Sequence, residues 1–221
     1  MIIAGIDEAG RGPCFGPMVV SIVVIDTKNE SELKSIGVKD SKEILPKKRE
    51  SLLLKVKEKT LEHQTIILEV KEINSLMVKY SLNEIEAMKI AELINNLDEE
   101  VEKVFVDSPD SIPKKFEERI RKYLNKDKQK IKIISENKAD SKYVVVGAAS
   151  IIAKVTRDKE IEKICEKFGD IGSGYPSDPY TKKFLAEYVE KNGKLPPFSR
   201  IFWKTCEVAL EQKGTTQQKL F

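Results

Sequence analysis

MIIAGIDEAGRGPCFGPMVVSIVVID, residues 1–26, decides how the chain is read. An apolar run ends in two adjacent acids, Asp7 and Glu8. Gly10, Arg11, Gly12, Pro13 and Pro17 follow, and a second run rich in valine and isoleucine then continues to Asp26. The first run fits a buried strand terminating at Asp7 or Glu8, the second a strand over 15–26, and a hairpin is the economical connection. Successive side chains on a regular strand point to opposite faces, so Asp7 and Glu8 are expected to converge only if the strand ends or bends at one of them. Gly10 and Gly12 permit a bend and let another backbone come close.

Outward from this stretch, Pro46 stands where a helix begins, with Leu52, Leu53 and Val56 at helical spacing. HQTIILEV reads as a third strand, NEIEAMKIAELINNL (83–97) as an amphipathic helix, and VEKVFVDSPD as a fourth strand that turns at Asp107. KKFEERIRKYL is helical and IKIISEN (131–137) a fifth strand. A long helix is expected from Ser141 to Phe168, with Val145, Ala148, Ala149, Ile152 and Val155 on one side. GDIGSGYPSDP (169–179) is a loop by its glycine and proline content, and two shorter helices close the chain. The order predicts an α/β core over 1–165 followed by a helical C-terminal subdomain over 166–221.

Composition limits the chemistry. With 221 residues, 40% hydrophobic and 34% charged, the chain is long enough for one sizeable core. No apolar stretch reaches the roughly 20 residues that span a bilayer, and the N-terminus lacks a basic leader, so a cytoplasmic protein without a membrane partner is expected. Cys14, Cys165 and Cys206 form no CxxC pair and read as buried free thiols. His63 is the single histidine, too few for a zinc site or a convincing nucleophile triad, so carboxylates and metals are the better suspects for chemistry. A net charge of +3, with lysine and arginine gathered in stretches such as PKKRESLLLKVKEK, permits phosphate contacts without proving them.

Four carboxylates stand at strand ends: Asp7, Glu8, Asp107 in VFVDSP and Asp140 in NKADSK. Singly, each reads as a turn former, a helix cap or a solvated strand end. Together, on one edge of one sheet, they would repel one another and raise some of their pKa values. Divalent cations resolve that repulsion, and oxygen ligands suit Mg²⁺ or Mn²⁺, two of which can serve an in-line phosphoryl displacement.

DEAGRGP, KDSKE (39–43), VDSP, KADSKYVVVGAASIIAKVTRD (138–158) and GSGYPSDP (172–179) closely resemble the motifs of type 2 ribonuclease H, ribonuclease HII, in its archaeal and eukaryotic style. The resemblance runs from the first residues to WKTC (203–206). It implies a ribonuclease H-like fold, a mixed five-stranded sheet flanked by helices with a helical C-terminal subdomain. It also implies cutting of RNA paired to DNA, including single ribonucleotides embedded in duplex DNA, with 3′-hydroxyl and 5′-phosphate ends. Asp7, Glu8, Asp107 and Asp140 would then surround two metal ions, Mg²⁺ or Mn²⁺. Gly10, Arg11 and Gly12 would meet the ribonucleotide and its 2′-hydroxyl, the group that separates RNA from DNA. Tyr175 matches the tyrosine that packs on the neighbouring sugar, and Lys42 and Lys138 would contact phosphates.

Two features stand apart. Phe202 precedes Trp203 where the family usually has a polar residue, which puts a substrate contact there in doubt. The end, TTQQKLF, resembles a truncated sliding-clamp tail of the Gln-x-x-aliphatic-aromatic type, against the competing reading of a terminus without fixed structure. A monomer is expected. A junction resolvase of the same fold and a hybrid-binding module without catalysis are the alternatives. GRG and GSGYPSDP argue against the first, and the four acids against the second.

Overall fold

In the computed structural model, residues 1–38 and 46–218 are described, the side chains of 46–48 and 213–218 excepted. Lys42 and the last residues of TTQQKLF lie outside the described residues. The chain forms two compact units, each discontinuous in sequence: Met1–Ala9, Val19–Ile67 and Tyr80–Thr156 in the first, and Gly10–Met18, Leu68–Lys79 and Arg157–Phe221 in the second.

The first unit is built on a sheet of β1 (Ile2–Ala9), β2 (Met18–Asp26), β3 (Glu62–Leu68), β4 (Lys103–Asp107) and β5 (Lys132–Glu136), in the order β3-β2-β1-β4-β5. β1 and β2 pair antiparallel, as the hairpin reading expected, with Ile2 opposite Asp26 and Ala9 opposite Val19. β1 with β4, and β4 with β5, run parallel. The sheet is therefore mixed, and β1, β4 and β5 end at one edge.

The helices of this unit are α1 (Glu30–Ser35), α2 (Pro46–Glu58), α4 (Leu82–Asn95), α5 (Pro113–Arg121), α6 (Ala139–Lys142) and the first half of α7 (Val144–Phe168); α3 (Val70–Met77) belongs to the second unit. Ile3, Val23 and Ile25 of the sheet pack with Leu33, Leu52 and Val56 and with the buried side of α7, from Val144 to Val155. Strand alternation puts Ile3, Gly5, Asp7 and Ala9 on the α7 face. Two observations agree: a Cβ on Gly5 would lie 2.4 Å from the Val145 carbonyl carbon, and Ala9 packs with Ala153. Ala4 and Ile6 point the other way and are also fully buried, so the central strand is covered on both sides.

Three sequence expectations change. β1 does not end at Asp7 or Glu8: both are paired in the ladder, opposite Ser21 and Val20. β2 starts at Met18 rather than Phe15, because Gly16 has φ +80° and Pro17 has no amide hydrogen for the ladder. The long helix expected from Ser141 is broken at Tyr143, which is extended at φ −114° and ψ 116°. There the Tyr143 ring packs on Phe105 at 4.2 Å and its hydroxyl donates to Glu136 Oε1 at 2.8 Å, contacts that hold the residue out of helical register.

The second unit contains α3, α8 (Pro179–Asn192) and α9 (Lys204–Gln218). Its core groups Cys14, Phe15, Ile171, Leu185, Phe198 and Cys206, with Phe15 edge-on to Phe198 at 5.2 Å. Asn74 of α3 donates to the Ser199 carbonyl at 3.0 Å and accepts from the Ile201 amide at 3.0 Å. All three cysteines are free thiols, Cys14 and Cys206 buried and Cys165 half-buried. Among the described residues no helix is long and apolar enough to cross a membrane.

Candidate active site

The carboxylates of the first unit come together because of strand order. The β1–β4 ladder runs to Ile6 opposite Val106, so Asp7 and Asp107 are each one residue further along two parallel neighbours. Asp7, Glu8 and Asp107 each offer a carboxylate oxygen, and these oxygens all lie within 4.8 Å of one another. β1 continues through Ala9, and Asp7 and Glu8 share this group although both stand in the ladder. Asp107 Oδ1 accepts the Ala139 amide at 2.7 Å, and Asp140 follows as a buried residue in the first turn of α6. Asp140 is not part of the 4.8 Å group; the structure brings three of the four predicted acids together and places the fourth one residue past an amide that holds Asp107. Glu136, opposite Asp107 on β5, is bound instead to Lys142 and Tyr143.

Burial is the main cause of a strongly raised Asp7 pKa, and the charges of Glu8 and Asp107 add to it. Hydrogen bonds from the buried Ser150 of α7 and from the Glu8 amide, at 2.9 Å, pull the other way. An all-oxygen donor set, one member of which is disfavoured as a bare anion by burial first and by its acidic neighbours second, fits a hard divalent cation.

The second unit holds Gly10, Arg11, Gly12 and Tyr175. Gly10 has φ +83°, and a Cβ there would lie 2.4 Å from Cδ and Nε of Arg157 and 2.8 Å from the Pro17 carbonyl. A Cβ on Gly12 would sit 3.6 Å from the Tyr175 ring. The Cys14 amide donates to the Gly174 carbonyl at 2.8 Å, which ties this segment to the GSGYPSDP loop. Asp178 organises that loop: it accepts from the Ser173 amide at 2.6 Å, the Ser173 hydroxyl at 2.7 Å and the Tyr180 amide at 2.9 Å, and these bonds hold its carboxyl down at about 2. Tyr175 is 40% exposed, and the Arg157 guanidinium lies 5.3 Å from its ring centroid.

The sequence matches the family model for ribonuclease HII over residues 4–206. This chain belongs to the ribonuclease HII family. A ribonuclease HII of Pyrococcus horikoshii is 47% identical over 220 residues, covering 100% of this chain and 98% of its own length. The solved ribonuclease H2 of Pyrococcus horikoshii superposes with TM-score 0.89 at 46% identity, over 96% of this chain and 98% of that one. A structure titled as the complex of PCNA with ribonuclease HII from Archaeoglobus fulgidus gives TM-score 0.84 at 39% identity, over 94% and 96% of the two chains. The protein is accordingly a metal-dependent ribonuclease H, a hydrolase of RNA–DNA hybrids with the ribonuclease H-like fold.

Within this family member the remaining expected residues are placed as follows. Lys138 is exposed and is the only non-glycine residue with positive φ among those described, at φ 58° and ψ 38°. Phe202 is 41% exposed, and Arg11 is half-buried. Sequence reasoning overlooked Ser150, Arg157 and Arg200. Arg157 sits inside a quoted motif, and its donation to the Ser173 carbonyl at 3.2 Å is a tertiary fact. Arg200, in FSRIFW, reads as an ordinary surface charge, yet it is completely buried.

Proposed function

We propose that this ribonuclease H also cuts at single ribonucleotides embedded in duplex DNA and leaves 3′-hydroxyl and 5′-phosphate ends. The observation that carries the reading is the Gly10–Arg11–Gly12 segment, separated from Glu8 by Ala9 alone along the chain. At Gly10 and Gly12 it offers backbone in place of side chains, and Gly12 faces the Tyr175 ring. A backbone without a Cβ can approach one sugar closely, and a single 2′-hydroxyl is then enough to be recognised.

Asp7, Glu8 and Asp107, with Asp140, would hold two divalent cations, Mg²⁺ or Mn²⁺. Bound there, the ions would supply Lewis-acid stabilisation of the charge that builds on the phosphoryl oxygens. The side chains' part is positional: Ser150 and the Glu8 amide orient Asp7, and the Ala139 amide orients Asp107. Tyr175 would pack on the sugar next to the ribonucleotide, and Arg11, Lys42 and Lys138 would contact phosphates. Such an activity suits removal of ribonucleotides during DNA replication and repair, in the cytoplasm, by a monomer. The Archaeoglobus fulgidus relative was solved with PCNA, and we extend the proposal to a sliding clamp held by TTQQKLF.

The test is cleavage of a duplex bearing one ribonucleotide, with all-DNA duplex and EDTA as controls and ligation to verify the 5′-phosphate. Cutting of hybrids without cutting at the single ribonucleotide would refute the proposal.

A further inference from the structure

Arg200 is a cation with no solvent exposure, and among the described residues its side-chain hydrogen bonds go to main-chain carbonyls alone. Nε donates to Gly16 at 2.9 Å, Nη1 to Arg11 at 3.0 Å and Nη2 to Gly10 at 2.6 Å. Burial pushes its pKa down, but three carbonyl acceptors around a guanidinium keep it protonated at neutral pH. Its guanidinium also lies 4.9 Å from the Trp203 ring centroid, and Trp203 Nε1 donates to the Gly12 carbonyl at 3.0 Å. Two side chains thus fix the carbonyls of Gly10, Arg11, Gly12 and Gly16.

A trans peptide places the carbonyl of one residue and the amide hydrogen of the next on opposite sides of one plane. The chain has no cis peptide among its described residues. With the Gly10 and Arg11 carbonyls turned into the Arg200 guanidinium, the amide hydrogens of Arg11 and Gly12 are turned to the other side. A fully buried charge is costly unless its hydrogen bonds are made, and this one is spent entirely on a single loop. We infer that Arg200 is a positioning residue for ribonucleotide recognition: it sets the two peptide planes that present the Arg11 and Gly12 amide hydrogens to the ribose. The inference rests on the proposal that the GRG segment reads the 2′-hydroxyl.

Arg200→Lys replaces the rigid planar fork by a point charge on a flexible stem, which does not hold all three carbonyls in fixed planes. The test uses the full chain silenced by Asp7→Asn, in competition binding between two duplexes that differ by one 2′-hydroxyl. Adding Arg200→Lys should reduce the preference for the ribonucleotide duplex by about tenfold, the equivalent of one well-made hydrogen bond. A purely structural role would weaken binding of both duplexes together and leave their ratio unchanged. Arg200→Gln carries no charge and can donate to two of the three carbonyls at most; it should reduce the ratio by about threefold. It decides the matter if Arg200→Lys fails to fold by circular dichroism. An unchanged ratio in every folded variant overturns the inference alone. A silenced parent with no preference overturns the reading of the GRG segment and the inference with it.

Discussion

Asp7→Asn keeps the side chain's size and removes one charge from a group whose oxygens lie within 4.8 Å of one another. Two unit negative charges at that distance repel by about 3.5 kcal/mol at an effective dielectric constant of about 20. Burial first, with the charges of Glu8 and Asp107 added, raises the pKa of Asp7 well above the usual range, so ionising Asp7 in the fold costs stability. For an acid with a raised folded pKa, the fold loses stability as pH rises above the unfolded pKa of about 3.9, and the loss grows until the folded pKa is passed. In EDTA the variant should therefore match the wild type near pH 3 and melt higher at neutral pH. At about 2–4 °C per kcal/mol for a chain of this size, relief of part of one repulsion is a shift of several degrees. Cleavage should move the other way, by roughly a thousandfold or more, because several kcal/mol of transition-state stabilisation go with the ligand. The assay pairs melting curves in EDTA at both pH values with single-turnover cleavage in Mg²⁺. A variant that melts below the wild type at pH 7, or that cuts at the wild-type rate, refutes the reasoning.

Other predictions concern single contacts. Tyr175→Phe should keep most activity on a single embedded ribonucleotide, whereas Tyr175→Ala should lose about 1–3 kcal/mol in kcat/KM; equal rates in matched duplexes would reduce the tyrosine to a structural role. Gly5→Ala forces a Cβ to within 2.4 Å of the α7 backbone and should cost about 1–3 kcal/mol in urea unfolding, with an unchanged midpoint as the contrary result. Asp178, held at about 2 mainly by the Ser173 amide, contributes stability that is present above pH 4 and lost as pH falls through about 2; Asp178→Asn should flatten acid unfolding over that interval. Deleting residues 215–221 should leave cleavage of short oligonucleotides intact and abolish binding to the organism's clamp in calorimetry.

The sheet was legible because β1, β2 and β4 are short runs dominated by apolar residues and bounded by turn residues, and β4 bears Asp107 where its run stops. The eight residues of α3 were missed because Val70–Met77 is too short to separate from the preceding strand by periodicity. The break at Tyr143 depends on partners, Phe105 and Glu136, that lie far away in sequence. Asp7, Glu8 and Asp107 were visible as acids at the ends of apolar runs, whereas Asp140 stands in the first turn of α6 and the strand end expected at Asp7 or Glu8 falls at Ala9. Arg200 was invisible because its significance lies in carbonyls up to 190 positions earlier in the chain.

The central claim is that Asp7, Glu8 and Asp107 hold the divalent cation that cutting requires. Anomalous diffraction from crystals soaked in Mn²⁺ tests it most directly. The account predicts a peak within about 2.5 Å of carboxylate oxygens from all three residues, a distance typical of a hard cation on oxygen ligands. A peak elsewhere, with this site empty in a crystal of active enzyme, would contradict it.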